Sequence, residues 1–324
     1  MRLKFWKTAL AAALATAVSA TAFAADAFPS KPVRIVVPVA AGGWGDLSTR
    51  VIAQKLSEEL GQPVIVENRT GAGGLLGIRF VKTAPADGYT LVSTGGTMPI
   101  QAALSVDPGF DPLKDFVGVG YLVRSPSVVV VGADSPDRSL ADIMKRAKAA
   151  PNKFSYGSAG IGTATHIAAA SFVKQAGIEM LHVPYKGNGA AMPDLIAGRI
   201  GLMFDAYGSS SANLTGGRLR ALAVTSTERL KVLPQVPTVA EQGVPGFSSY
   251  FWLGLFAPAG TPNDVVLKLS GALNRVLASN QLKERLQQDG TEPVVMSPDA
   301  FKEFFRKEVT QINTLVKDLD IPKQ

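Results

Sequence analysis

The chain alternates short apolar runs with amphipathic segments, and this alternation begins at residue 33. Residues 33–38 are β-branched and apolar, as the strands of buried parallel sheets are, and a Gly-rich stretch follows them. In the next segment apolar residues recur at helical spacing, at Leu47, Val51, Ile52, Leu56 and Leu60. Gly61 then provides a stop signal after the last turn. Strands and helices in alternation predict an α/β fold whose sheets are mostly parallel.

The same pattern restarts near residue 125, so the sequence predicts two α/β units in series. Further strands are predicted at 63–67, 89–93, 128–131, 154–156, 181–183, 200–204 and 219–225. Helices are predicted to end near 82 and to cover 140–149 and 164–176.

The pattern in the last third of the chain predicts that its C-terminal segments pack on the first α/β unit. Residues 226–262 are punctuated by proline and contain one apolar strand, at 251–256. Two helices at 262–279 and 298–319 follow, and the second has a one-sided apolar face that predicts packing on the first unit. We therefore expect one lobe made of 25–124 and 248–324, and a second lobe made of 125–247.

The N-terminus has the three parts of a secretory signal peptide. Arg2, Lys4 and Lys7 precede an uncharged, small and apolar stretch, and Ala22-Phe23-Ala24 fits a cleavage site. The alternative, a retained membrane anchor, is disfavoured because the segment is short for a membrane span. We expect residues 1–24 to be removed and the mature protein to be soluble and periplasmic.

Composition excludes several functional classes. The chain has no cysteine and two histidines, so Cys-based metal sites are excluded and imidazole is scarce. The formal net charge is +7, and the charges are dispersed rather than grouped in a basic patch. Dispersed positive charge helps an anionic ligand to approach, whereas nucleic-acid binding would require a basic patch or stripe.

Two Gly-rich loops are the candidate binding segments. Residues 40–46 and 158–166 each connect a predicted strand to a predicted helix. Ligands of open parallel sheets bind beyond the carboxyl ends of the strands, and helix N-termini favour anions. A Gly-rich turn can also serve only to pack helix on strand, but a matching pair in two lobes favours a binding site. Neither loop matches a P-loop, a dinucleotide fingerprint or a hydrolase elbow.

Individual residues of these loops allow two interpretations. Asp46 could cap the first helix, which we favour, or accept a hydrogen bond from a ligand. Trp44 could stack on the apolar part of a ligand or fold back on its own lobe. His166 lies one turn into its predicted helix, near the cleft, and His182 lies in a strand and is expected to be a core or hinge residue. The chain shows neither a catalytic triad nor a zinc motif, so we expect no enzyme activity, cofactor or metal.

Ordered motifs over most of the chain resemble the Bug family, the substrate-binding proteins of tripartite tricarboxylate transporters. The matching segments are P-x-x-x-GG-x-x-D-x-x-x-R (38–50), LGQPVIVENRTGAGG (60–74), PADGYTL (85–91), YGSAGIGTATH (156–166), HVPYKG (182–187), DLIAGRI (194–200), LRALAVTSTER (219–229), LPQVPTVAEQGVPGF (233–247) and W-x-G-x-x-AP-x-GTP (252–262).

The resemblance implies a two-lobed periplasmic binding protein of the Venus-flytrap type that closes on a small organic acid. Its implied partners are the carboxylate ligand and membrane permease subunits, with a monomeric binding protein and no nucleic acid. The residues implied to bind the ligand are Val39, Ala40, Gly42, Gly43, Trp44, Asp46, Thr94, Ser158, Gly160, Gly162, Thr163, His166 and Asp205. The family often has small hydroxylic residues where this chain has Trp44 and Gly45, which favours a ligand with an apolar or aromatic part. A periplasmic sensor subunit remains the alternative function.

Overall fold

The computed structural model describes residues 28–323, so the predicted signal peptide lies outside the described residues. The strands are β1 (Val33–Val37), β2 (Val64–Asn68), β3 (Thr90–Gly95), β4 (Phe116–Gly132), β5 (Ser155–Ser158), β6 (Leu181–Pro184), β7 (Leu202–Ala206), β8 (Leu219–Val224), β9 (Tyr250–Pro258) and β10 (Glu292–Pro293). The helices are α1 (Trp44–Leu60), α2 (Leu75–Lys82), α3 (Thr97–Leu104), α4 (Leu140–Ala149), α5 (Ala164–Gln175), α6 (Asn188–Ile196), α7 (Tyr207–Thr215), α8 (Asn263–Ala278), α9 (Asn280–Gln287) and α10 (Pro298–Asp318). None of these helices, all within residues 28–323, has the length and apolar character that crossing a membrane requires.

One long strand, β4, joins two sheets. The strand order is β2-β1-β3-β9-β4-β7-β5-β6, with β8 and β10 also paired to β4. Along β4, Pro126 is paired with Tyr250 of β9, and the next residue, Ser127, is paired with Ala206 of β7. We call the part built on β1–β3, β9 and the first half of β4 lobe 1, and the part built on β5–β8 and the second half of β4 lobe 2. The predicted two-lobed α/β fold is confirmed, and the exact domain boundaries stay a prediction.

Each sheet is mixed in its strand directions. β1 runs parallel to β2 and β3, and β5 runs parallel to β6 and β7. The strands that cross between the lobes pair antiparallel, because β4 leaves lobe 1 and β9 returns to it. The parallel pairing expected from the sequence therefore belongs to the outer strands of each lobe.

Each lobe has its own apolar core. In lobe 2, Val128 to Val131 of β4 are fully buried, and they pack against helices on both faces of the sheet. In lobe 1, Phe256 of β9 and Phe301 of α10 are fully buried with their ring centroids 5.2 Å apart. Burying an aliphatic or aromatic side chain of this size contributes about 1.5–3 kcal/mol. Helices α8 and α10 thus pack on lobe 1, as their apolar faces predict.

Three features of the fold escaped the sequence pattern. The helices α3, α7 and α9 were not predicted, the short strand β10 was not predicted, and β4 extends from Phe116 rather than from Val128. Five of the eight residues of α3 are buried, so the helix lacks the polar face that marks an amphipathic segment. The first half of β4 contains Gly118 and Gly120, which are weak strand formers but leave room for Phe301 and Leu273.

We predict that Gly95→Ala destabilises lobe 1. An added Cβ at Gly95 would lie 1.7 Å from the carbonyl oxygen of Trp252, so β3 and β9 would have to separate. Overpacking of this kind costs about 1–3 kcal/mol in the free energy of unfolding, measured by urea denaturation. Gly189→Ala is the control, because nothing lies within 4 Å of an added Cβ there. Equal stability of the two variants would contradict the pairing of β3 with β9.

Candidate ligand-binding site between the lobes

A cavity of about 320 Å³ lies between the two lobes. Its lobe 1 wall consists of the loop after β1, the end of β3 and the start of β9. Its lobe 2 wall consists of the loop after β5, the start of α6 and the end of β7. The cavity thus lies beyond the carboxyl ends of the parallel strands, where α/β proteins bind their ligands.

The N-termini of four helices line this cavity. The lining residues at these helix starts are Gly43–Gly45 at α1, Gly96 and Thr97 at α3, Thr163–Thr165 at α5 and Gly187–Ala190 at α6. The first amide groups of a helix have no partner inside the helix, and the dipole places partial positive charge there. Two lobes therefore direct backbone donors and positive potential into one space, which suits an anion.

A fifth helix, α7, also begins at the cavity, and the carboxyl group of Asp205 lies directly beside its N-terminus. Asp205 is fully buried and accepts hydrogen bonds from the backbone N–H of Ala206 at 2.9 Å and from the hydroxyls of Ser209 and Ser210 at 2.7 and 2.6 Å. Asn188 is its fourth donor. Burial raises the pKa of Asp205, although these donors oppose the rise. The α7 N-terminus is therefore already occupied by an internal acid.

Lys186 supplies a cationic side chain at the same cavity. It is exposed, follows β6 and lines the lobe 2 wall. Within residues 28–323, Lys186 has no acidic partner at ion-pair distance. Next to it, the side-chain oxygen of Asn188 is buried and has no hydrogen-bond partner in the described part of the chain. Among the described residues that line the cavity, Lys186 is thus an unpaired cation on the lobe 2 side.

Asp46 stabilises the first candidate binding loop (residues 40–46) instead of facing the cavity; residues 158–166 form the second binding loop. Its carboxylate is almost fully buried and accepts hydrogen bonds at 2.9 Å from the Gly42 N–H, from Arg50 and from Asn68. Burial alone would raise the pKa of Asp46, but these three donors outweigh it and hold the pKa below its usual value. The N-cap of α1 is Gly43, which has no side-chain cap, so Asp46 fixes the loop that precedes the helix rather than capping it.

Trp44 forms part of the wall and is held by lobe 1. Its Nε1–H donates to the hydroxyl of Thr291 at 2.9 Å, and its ring centroid lies 6.4 Å from that of Phe251. It packs against the cores of both lobes and also lines the cavity. The indole N–H is thus used inside the protein, and the ring is left as an apolar surface for a ligand.

The two histidines of the chain are stacked behind the second binding loop. His166 and His182 lie with ring centroids 4.0 Å apart and nearly parallel, and Tyr156 continues the stack 5.0 Å from His182. The hydroxyl of Ser158 is 2.6 Å from Nε2 of His182, and the N–H of Gly162 donates to Nδ1 of His166 at 3.3 Å. The stack therefore supports the loop from behind and does not reach the cavity.

The predicted binding residues fall into three groups in the structure. Seven of them line the cavity: Val39, Ala40, Gly43, Trp44, Thr94, Thr163 and Asp205. Gly160 lines a neighbouring cavity of about 730 Å³ between the lobes. The others support the two loops from behind: Gly42, Asp46, Ser158, Gly162 and His166.

Sequence reasoning missed the contribution of the turn after β6 and of β9. Lys186 and Asn188 line the cavity from that turn, and Phe251 and Leu253 line it from β9. The segment Lys186 to Gly189 reads as a Gly-containing turn between a strand and a helix, which is the signal that identified the other two loops. No comparable signal marks β9, because its apolar residues look like those of any buried strand.

The matched family is described as the tripartite tricarboxylate transporter family receptor, and its model matches residues 48–321. The chain belongs to this family. A protein from the tcbD–tcbE intergenic region of Pseudomonas sp. (strain P51) is 40% identical over 306 residues, which cover 94% of this chain and 91% of the relative. The resemblance to the Bug family is thereby confirmed.

Solved structures show the same two-lobed fold. The periplasmic binding protein BugD is 35% identical, with a TM-score of 0.87 over 92% of this chain and all of the other. Rpa4515 of R. palustris with adipate is 33% identical, with a TM-score of 0.87 over 91% of this chain and 99% of that protein. MatC of Rhodopseudomonas palustris with bound malate is 30% identical, with a TM-score of 0.84 over 89% of this chain and all of that protein. Such binding proteins are receptors for solutes rather than enzymes.

We predict an acid destabilisation that depends on the histidine stack. Burial lowers the pKa of His166 to about 3, with a further contribution from His182, and burial lowers the pKa of His182 to about 4. Below pH 6.5 the histidines of the unfolded chain therefore bind protons, whereas those of the folded chain stay neutral. The free energy of unfolding thus decreases as the pH is lowered, until the folded-state pKa values are reached. The expected slope is up to about 1.4 kcal/mol per pH unit for each histidine.

The test compares urea unfolding at pH 7 and pH 5 for the native protein and for His166→Asn/His182→Gln. The double variant contains no histidine, and its new amide groups can still contact Gly162 and Ser158. It should lose most of the difference in the free energy of unfolding between the two pH values. An unchanged difference would show that the buried imidazoles are not its source.

Proposed function

We propose that this protein is an extracytoplasmic solute-binding protein that captures a small organic carboxylate between its lobes for a tripartite tricarboxylate-type transporter. The observation that carries the proposal is the convergence of four helix N-termini, two from each lobe, on one cavity. The predicted signal peptide and the periplasmic binding-protein relatives support a periplasmic location.

A carboxylate suits this cavity better than a neutral solute. Backbone N–H groups at helix N-termini are fixed donors that need no reorientation when the ligand arrives. Lys186 adds a positive charge on the lobe 2 wall, which attracts an anion even though solvent screens it. Asp205 lies beside the remaining helix N-terminus, so the ligand carboxylate is expected on the side of α5 and α6.

The other wall favours a ligand with a hydrocarbon part. Trp44, Phe251 and Leu253 present apolar surface to the cavity, and the indole N–H of Trp44 is already bonded to Thr291. The relatives whose structures contain adipate and malate show that this fold accepts dicarboxylates with short carbon chains.

The first test is a thermal-shift and calorimetric screen of the mature protein. The panel contains adipate, succinate, malate, citrate, glutamate, nicotinate, benzoate and terephthalate. A ligand that binds only the folded state adds about 2.7 kcal/mol of stability at a hundredfold excess over its Kd. Binding of at least one acid supports the proposal. No binding, together with no acid released from the unfolded protein in mass spectrometry, would contradict it.

We predict that Lys186→Gln weakens the binding of the best acid of this panel about tenfold. The substitution removes the one unpaired cation of the described cavity wall and keeps a polar side chain of similar length. Tenfold corresponds to about 1.4 kcal/mol, which is modest because Lys186 is exposed and its charge is screened by water and salt. The Kd is measured calorimetrically at low and moderate ionic strength.

Lys174→Gln is the matched control for that substitution. It makes the same change in net charge on lobe 2, but Lys174 lies in the last turn of α5, at the end away from the cavity. Its effect on the Kd should be less than twofold. If both variants weaken binding equally, the general charge of the lobe is responsible and Lys186 is not a ligand-binding residue.

Delivery to a permease is tested separately from binding. Deleting the gene in its host should abolish uptake of the acid that the purified protein binds, because the family description is that of a transporter receptor. Normal uptake, combined with the loss of a transcriptional response to that acid, would favour the sensor alternative.

A further inference from the structure

Gln101 forms a direct polar connection between the two lobes. It lies on α3 of lobe 1 and is 5% exposed. Its side-chain amide nitrogen donates to the carbonyl oxygen of Gly73 in lobe 1 at 3.2 Å and to that of Ile161 in lobe 2 at 3.0 Å. Both hydrogens of the amide are therefore used, one in each lobe.

This connection is unusual among the contacts across the cleft. At the hinge, β4 passes from one lobe to the other, and Ser249 before β9 is hydrogen-bonded to Thr225 after β8. Away from this hinge, no other hydrogen bond and no ion pair joins the lobes within residues 28–323. Other contacts between the lobes include apolar packing, such as that of Ile167 of α5 against Ile100 and Leu104 of α3. Apolar contacts tolerate small displacements, whereas the amide of Gln101 requires one relative position of the lobes.

Two glycines make room for this amide. An added Cβ at Gly73 would lie 2.1 Å from Nε2 of Gln101 and 2.6 Å from the oxygen of Ile161. An added Cβ at Gly162 would lie 2.5 Å from the same nitrogen. The Gly-rich turn after β2 and the second binding loop thus meet at Gln101. The turn after β2 does not line the ligand cavity, so ligand binding does not explain its glycines.

We propose that Gln101 is a latch that holds the closed state and positions the second binding loop over the ligand. Its acceptor, Ile161, belongs to the second binding loop, which leads directly into α5 at the cavity. The hydrogen bond from Gln101 therefore also fixes the position of this loop. Gln101 does not line the ligand cavity, and it lines the neighbouring larger cavity instead. The inference rests on the proposed function for its effect on affinity, but its effect on closure does not depend on the ligand.

A latch outside the cavity predicts a specific pattern of affinities. Every ligand binds tightly only to the closed state. A lower population of the closed state therefore raises the apparent Kd of every ligand by the same factor. Gln101→Ala should raise the Kd of every acid that binds about three- to tenfold, which is the change expected when one or two ordinary hydrogen bonds are lost. Gln101→Glu should raise it further, since a carboxylate would face two carbonyl oxygens. Gln281→Ala, at an exposed position of α9, is the control and should leave the Kd unchanged.

The closing experiment measures closure itself, by single-molecule energy transfer between dyes on Val106→Cys and Ala197→Cys. The chain has no native cysteine, and both positions are exposed, one on each lobe. The ratio of closed to open molecules in the free protein should fall about three- to tenfold in Gln101→Ala and should be unchanged in Gln281→Ala.

Two results would overturn the latch. One is an unchanged ratio of closed to open molecules in Gln101→Ala. The other is a change in affinity that differs from acid to acid, which would indicate a direct ligand contact. If no acid of the panel binds, the proposed function fails, and the energy-transfer measurement still decides the latch.

Discussion

The shared strand β4 is the constraint on which the rest of the structure depends. Because it pairs with β9 in lobe 1 and with β7 and β8 in lobe 2, the two sheets are held end to end along a single strand. The parallel strands of both lobes then direct their carboxyl ends, and the helix N-termini that follow, toward the space between the sheets. The cavity is a consequence of this topology, and the chain crosses between the lobes along β4 and again just before β9.

The proposed recognition of an anion in this cavity relies mainly on the backbone. Four helix N-termini supply oriented N–H groups, and the charged side chains nearby have distinct tasks. Asp46 and Arg50 brace the first loop, Asp205 occupies the start of α7, and Lys186 remains available. Buried donors arranged before the ligand arrives lose little entropy on binding, which is why such a site needs no arginine clamp.

The sequence carried enough information for the fold and for two of the binding loops. Apolar periodicity predicted α4 and α10 almost to the residue, and the Gly-rich turns identified Gly43 and Thr163 at the cavity. The pattern could not identify α3, which is buried on most sides, and it could not show that His166 and His182 stack, since they lie on different elements. Contacts such as that of Gln101 with Ile161 depend on how the lobes meet, and no local pattern encodes that.

The most direct measurement for the central claim compares the best-binding acid of the panel with its methyl ester, by calorimetry on the mature protein. Esterification of every carboxyl group keeps the carbon chain, adds one methyl group at each end that is esterified, and removes the negative charge. Since helix N-termini and Lys186 are held to recognise that charge, the ester should bind at least about a hundredfold more weakly, or about 2.7 kcal/mol. Equal affinity of acid and ester would contradict the account, because the cavity would then be selecting shape and apolar surface rather than a carboxylate.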